Sequence, residues 1–435
     1  MNKGLIKNIA SLTFPAIIIN ITTPLLAISD VAIAGHSGNA LYIAAIAVGS
    51  TLFNMLYWLL GFLRMGTTSL TAQAYGADNV AETILIPARA LAIALVTGLL
   101  FIAFQKPLGT LLLDFMDADA PTRTLASNYF RICIWGAPAV LGTFVLTGWF
   151  VGMQDTKVPM WISVFIDIFN IALSVTLVFG LKTGIAGIAT GTLCAQWAGF
   201  IMALTICVRR NRHNLKSLGR KNILHTGNIR KLFGINADIF LRTLCLVAVT
   251  MWFTRTGARQ GADMLAVNAL IMQLFTLFSF FTDGIGFAAE ALCGKCLGAH
   301  DRDGINTTVR TIMVIACGAA LVFSGIYLLF GNDFLRLLSD DAGINVLAEE
   351  YFLWAVLIPL AGVGAFVWDG VCIGLTHTRS MLLSMIVAMI TFFVCYAITF
   401  PTMHNHGLWL AFTLYLLIRG IVLTVIWRRY LIRTS

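Results

Sequence analysis

Charge is what this chain of 435 residues has least of: Asp, Glu, Lys and Arg make up only 11% of it, against about 25% in soluble domains. With 59% hydrophobic residues beside so few charges, a water-soluble globular protein is excluded. Enzymatic signatures are missing as well: there is no His-Glu-x-x-His, no Gly-x-Ser-x-Gly and no phosphate loop. Nine cysteines occur, but almost all lie inside apolar runs, which suits small buried hydrophobes better than disulfides. Only Cys293-Gly-Lys-Cys296 has suggestive spacing, and no second Cys or His pair is placed to complete a metal site. His404-Asn-His406 reads as a wet outer turn rather than a ligand set. Neither a metal nor a cofactor is expected.

What is present is a series of apolar runs. With about 20 residues needed per crossing, the chain reads as an all-α integral membrane protein of twelve spans. They cover roughly 8–35, 42–75, 84–105, 122–151, 158–180, 184–209, 233–256, 263–297, 307–330, 345–376, 380–400 and 406–430. Lys3 and Lys7 before the first run imitate a signal peptide, but the run is too long and holds an acid, so it is read as an uncleaved first span.

The net charge of +9 does not point to nucleic acid, because most basic residues fall between spans and serve orientation. Eight Lys or Arg crowd the one long polar connection, Arg209 to Lys231. Placing that connection in the cytoplasm puts eighteen basic residues inside and seven outside, with both termini cytoplasmic.

The same connection halves the chain, and the halves repeat at a shift of 222 residues. Between 129 and 156, nine of twenty-eight positions are identical to 351–378, among them Tyr129/Tyr351, Gly148/Gly370, Gly152/Gly374 and Thr156/Thr378. Six spans per repeat is an even number, so two six-helix bundles related by a pseudo-twofold axis along the membrane normal are expected. The expected domains are 1–215, a basic cytoplasmic linker 216–231, and 232–435. The Gly-xxx-Gly pairs are read as packing surfaces.

Acids inside the spans carry the functional reading. Asp30 lies in the first span, where a carboxylate in hydrocarbon costs at least about 2.5 to 3.5 kcal/mol and normally faces a cavity, a partner or a proton. The alternative is an acid at the outer interface near His36. Pro15 and Pro24 in the same span predict a bent helix lining a polar cavity. Ser163, Asp167, Asn170 and Ser174 share one face of the fifth span, and Thr192 and Gln196 of the sixth span can face the same space. The alternative for this stripe is interhelical hydrogen bonding. In the second half, Asp238 and Arg242 are spaced for an ion pair on one helix. Asp283, Glu290 and Asp369 have no opposite charge within a turn on their own helices, which favours a titrating or substrate-facing role.

These features, with Gly66-Thr-Thr-Ser-Leu-Thr-Ala-Gln73-Ala-Tyr-Gly76-Ala77 ending the second span and Asn170-Ile-Ala-Leu in the fifth, resemble the multidrug and toxic compound extrusion family. Asn236-Ala-Asp238-Ile-Phe-Leu-Arg242-Thr243 and the run from Asp283-Gly284 through Glu290-Ala291 to Gly298-Ala299 are most similar to its DinF-type branch. The resemblance implies a cation-coupled antiporter, not an enzyme, that exports bulky, lipophilic and often cationic small molecules by alternating access from a bacterial inner membrane. It makes Asp30 the coupling acid, with Asn170 and Thr192 beside it. Relatives often carry an acid where this chain has Ser174, and Asp167 lies about 10 Å along the axis from that position. The coupling ion is therefore expected to be H+, with Na+ as the alternative. A monomer is the expected working unit. The rival readings are a lipid-linked sugar flippase, for which Arg64, Arg89 and Arg419 are the candidate cations, and a membrane-embedded enzyme.

Overall fold

The computed structural model describes residues 3–36, 40–116, 119–212, 226–338 and 341–434, and nearly all of them are helical. The helices are α1 (Lys3–His36), α2 (Ala40–Leu59), α3 (Phe62–Gly76), α4 (Val80–Ala103), α5 (Gln105–Phe115), α6 (Ala120–Cys133) and α7 (Ala137–Gly152). They continue as α8 (Lys157–Val175), α9 (Ile185–Arg210), α10 (Thr226–Arg259), α11 (Ala262–Gly298), α12 (Arg302–Leu338), α13 (Ala342–Gly374) and α14 (Thr378–Thr434). Among the described residues eleven stretches are long and apolar enough to cross a membrane, and the last, Thr378–Arg428, has 51 residues, enough for two crossings. His404 breaks it with φ 47 and ψ −123, a backbone that no helix can carry through.

Several expected spans are compound. The second is divided between α2 and α3 by a turn at Leu60–Gly61, where Leu60 and Gly61 donate to the carbonyls of Tyr57 and Trp58. The fourth is α6 and α7 joined by one 3₁₀ turn, Ile134–Gly136, because Pro138 lacks the N–H that a continuous helix needs and instead sits in the first turn of α7. Pro15 and Pro24, by contrast, lie inside α1, which is helical from Lys3 to His36.

The chain divides into two compact units, Phe14–Phe233 and Met1–Thr13 with Gly234–Ser435. The first thirteen residues thus group with the second half, and the division falls one residue before Pro15. The linker expected at 216–231 lies outside the described residues as far as 225.

The repeat recurs in the backbone of each unit. Helix α3 ends with Ala77 donating to Gln73, Asp78 to Tyr75 and Asn79 to Ala74, and α11 ends with the same three bonds at Ala299, His300 and Asp301. Asp78 and His300 both take the left-handed conformation, φ 52 and φ 56, that closes such a helix end. Gln154 and Thr376 do so after α7 and α13, and Lys182 and His404 form a third pair at the same shift. Asn79 then caps α4 through the amide of Glu82, as Asp301 caps α12 through that of Gly304.

The paired glycines explain how the helices cross. A Cβ on Gly148 would lie 2.4 Å from the carbonyl oxygen of Arg64, and one on Gly370 would lie 2.6 Å from that of Gly286. Gly152 meets the carbonyl of Thr68 and Gly374 that of Glu290 in the same way. With glycine at these positions, the backbone of α7 comes into direct contact with that of α3, and α13 with α11.

Candidate functional site

In the first unit, Asp30 on α1 is 1% exposed, and its Oδ2 is the meeting point of two other helices. Tyr129 on α6 donates its phenolic hydroxyl across 3.1 Å. Thr192 on α9 brings its Oγ1 to 2.8 Å. That hydroxyl also lies 3.1 Å from the carbonyl of Ile188, so its single proton has two acceptors. Asn170 on α8 completes the chain by donating Nδ2 to Thr192 Oγ1 at 2.9 Å. The approach of α8 to α9 depends on Gly191, where a Cβ would fall 2.1 Å from Ser174 Oγ.

This cluster is polar yet incompletely paired. Asp30 Oδ1, Asn170 Oδ1 and Ser174 Oγ are buried and make no hydrogen bond. Asp30 forms no ion pair among the described residues; its partners are neutral donors. One face of α8 continues the polar line: Ser163 meets Thr22 of α1 at 2.6 Å, and half-buried Asp167 carries a buried Oδ2 without a hydrogen bond. Asp30, Asn170 and Thr192 are thus brought together, while Asp167 and Ser174 stand on the same face of α8 without joining the hydrogen-bonded chain. Gln196, expected near them, has its buried Oε1 unpaired and lies against Gly136 instead.

In the second unit, the expected pairing of Asp238 with Arg242 does not form among the described residues. Asp238 accepts from Thr378 Oγ1 at 2.7 Å, and Arg242 turns to Asp369 on α13. Asp369 takes a second guanidinium, Arg419 on α14, at 2.5 Å. Both arginines use the same carboxylate oxygen, Oδ2. The reading of Asp369 as an acid without opposite charge holds only along its own helix, because its partners arrive from α10 and α14. Asp283 is exposed, and Glu290 is buried where α11 crosses α13. Of the flippase candidates, Arg89 is taken by Glu82 at 2.9 Å and Arg419 by Asp369.

The turn at His404 is dry at its centre. Asn405 is buried and exchanges two 2.9 Å hydrogen bonds with Asn268 of α11. Trp409 adds a third, donating to Asn268 Oδ1 at 2.8 Å. His406 accepts from Trp354 at 3.1 Å and lies 3.5 Å from Glu350. All nine cysteines are free thiols. Among the described residues no group of three or more His, Cys, Asp or Glu is placed to hold a metal ion.

The MatE family model matches residues 15–176 and again 238–398, one stretch in each half. The chain belongs to the MatE family. It is 38% identical over 431 residues to DNA damage-inducible protein F of Escherichia coli, covering 98% of this chain and 92% of that one. A probable multidrug resistance protein NorM of Photorhabdus laumondii is 22% identical over 86% of this chain and 83% of its own. Among solved structures, the Vibrio cholerae MATE transporter VcmN in its bent form superposes with a TM-score of 0.87 at 17% identity, covering 98% and 97% of the two chains.

Family membership makes this MatE chain a membrane-spanning transporter and not an enzyme. Sequence reasoning missed Tyr129 as a partner of Asp30 and the two arginines on Asp369. Tyr129 did carry a signal, its recurrence as Tyr351, but the recurrence spoke only of duplication. Continued to the site, the shift of 222 aligns Asp30 with Trp252, Asn170 with Phe392 and Thr192 with Leu414. The second unit fills that ground with rings: Trp252 stands edge-on to Phe393 and Tyr396 at 5.5 and 5.9 Å.

Proposed function

We propose that this transporter exports lipophilic, often cationic small molecules in exchange for protons by alternating access, and that Asp30 carries the proton. The observation supporting this most is the setting of Asp30: a carboxylate 1% exposed, held by hydroxyls of Tyr129 and Thr192, with no cation paired to it among the described residues. A carboxylate so placed is stabilised by binding either a proton or a cation that arrives and leaves. Exchange of one positive occupant for another at or near Asp30 is the chemistry of an antiporter. Asp167, half-buried on the neighbouring face, adds a second acid to that path. The excess of basic residues on one set of loops supports a bacterial cytoplasmic membrane with both termini inside, and each chain is proposed to work as a monomer.

Sodium is the second reading. Asp30 Oδ1, Asn170 Oδ1 and Ser174 Oγ are three buried oxygens without hydrogen bonds, and oxygens of this kind can hold a hard cation. Dye efflux in vesicles under separately imposed proton and sodium gradients distinguishes the two. Asp30→Asn is expected to abolish substrate-driven proton movement in the same vesicles; full coupling in that variant would remove Asp30 from the mechanism.

A further inference from the structure

We propose that Arg242 and Arg419 form a binding site for the oxyanion head of an amphiphilic compound, a carboxylate, sulfonate or phosphate, and that Asp369 is the built-in occupant of that site. The purpose of such a site rests on the transporter reading above; its test does not.

The arrangement is rich in donors and poor in acceptors. A guanidinium carries five N–H donors in a planar fork suited to two parallel bonds with one oxyanion. Here both forks spend one terminal nitrogen each on the single oxygen Asp369 Oδ2, so neither pairing is bidentate. The Nε atoms of Arg242 and Arg419 are buried without a hydrogen bond, and so is Asp369 Oδ1. Arg419 is 2% exposed and Asp369 7%, so both are held away from the surface, while the Arg242 side chain is 12% exposed. Buried donors are rarely left unpaired in native interiors, and a convergent set of them marks a place for an acceptor with several oxygens.

One ring and one further carboxylate lie near the pair. The Tyr415 ring lies 5.5 Å from the guanidinium of Arg419, an orientation that holds the fork in place. The exposed carboxylate of Asp283 is within electrostatic range of Arg419. It offsets part of the positive charge. A phosphate, sulfonate or carboxylate arriving at the pair therefore competes with Asp369 for the same nitrogens, and arginine is the side chain best matched to such groups.

The site is not a by-product of duplication. At the shift of 222, Arg242, Asp369 and Arg419 align with Asn20, Thr147 and Trp197. The first unit keeps a lone carboxylate where the second has a tryptophan, and the second keeps two guanidiniums where the first has an amide and an indole. The two units are specialised for opposite charges.

The test is binding of a fluorescent naphthalene sulfonate and of an ammonium dye of similar size to the purified full-length protein. Arg242→Gln and Arg419→Gln are expected to lower the sulfonate-to-ammonium preference at least tenfold. Asp369→Asn, which weakens the resident competitor, is expected to raise it at least threefold. A purely structural ion cluster gives no such opposition, so a fall in sulfonate binding in all three variants, or parallel changes for both dyes, overturns the proposal. In the unaltered protein, hexanesulfonate should displace the bound naphthalene sulfonate while hexyltrimethylammonium should not; this holds even if a variant does not fold, and equal displacement by both overturns the proposal as well. Nanodiscs with and without phosphatidylglycerol separate the two sources of the anion: competition by that lipid assigns the site to a headgroup, and its absence to a free amphiphile. Coupled dye efflux with no sulfonate binding would sink this site and leave the antiporter reading standing.

Discussion

Tyr129 donates to the Oδ2 of Asp30 across 3.1 Å, although the two residues are 99 positions apart in the chain. A phenol in that position favours the charged carboxylate over the neutral acid, and a hydrogen bond to a charged group contributes about 1.5 to 3 kcal/mol. Removing it by Tyr129→Phe makes the neutral acid easier to reach. The profile of transport rate against pH is expected to move by about one unit toward higher pH. Proton-driven efflux measured across a pH series checks this, and an unmoved profile would show that the phenol has no part in the coupling.

Thr192 is the link between Asn170 and Asp30, and it acts through its hydroxyl. Thr192→Ser keeps that oxygen and is expected to retain most of the substrate-driven proton flux. Thr192→Val keeps the shape but leaves a buried amide and a buried carboxylate short of a partner, a loss of about 1 to 3 kcal/mol. Flux in the valine variant should fall at least fivefold against the serine variant; equal flux in the two would reduce Thr192 to packing.

Gly370 and Gly318 separate crossing glycines from idle ones. An alanine at 370 would press its Cβ to 2.6 Å from the backbone oxygen of Gly286, whereas nothing lies within 4 Å of a Cβ at 318. Gly370→Ala is expected to destabilise by about 1 to 3 kcal/mol through overpacking, and Gly318→Ala to be neutral or slightly stabilising. Thermal unfolding of the purified protein in detergent compares them directly.

Asn268 serves Asn405 twice and Trp409 once, all inside the second unit. Asn268→Ala strands two buried donors, Asn405 Nδ2 and Trp409 Nε1, beside the reversal at His404, while Asn405 Oδ1 keeps Gln260 at 3.3 Å; each stranded group costs about 1 to 3 kcal/mol. A clear fall in the unfolding midpoint is expected. Should the midpoint stay unchanged, the amide cluster would have no share in holding that reversal.

The legible parts of this protein were those that follow from local composition. Spans could be counted because hydrocarbon demands about twenty apolar residues in a row, and the shift of 222 was visible because glycines at crossings tolerate no substitute. Asp30, Asn170 and Thr192 were found as polar residues where polarity is expensive. The partners of charges were not legible. Arg242 looked paired to Asp238 because helical spacing permits it, yet the stronger claim on its guanidinium came from Asp369, 127 residues away. Asn405 looked like part of a wet turn, since nothing nearby in the chain announces the buried amide of Asn268.

By itself, then, the order of residues determined that this chain crosses a membrane repeatedly, that it is built twice over, and that a lone acid sits in its first crossing. Each of these is a matter of what a single helix must be made of to lie in hydrocarbon. Tertiary structure alone decided that Asp30 is met by Tyr129 and Thr192, and that Asp369 is shared by Arg242 and Arg419. Those choices depend on which faces of distant helices come into contact, and a one-residue rotation of any helix would turn its side chain by about 100° and choose a different partner.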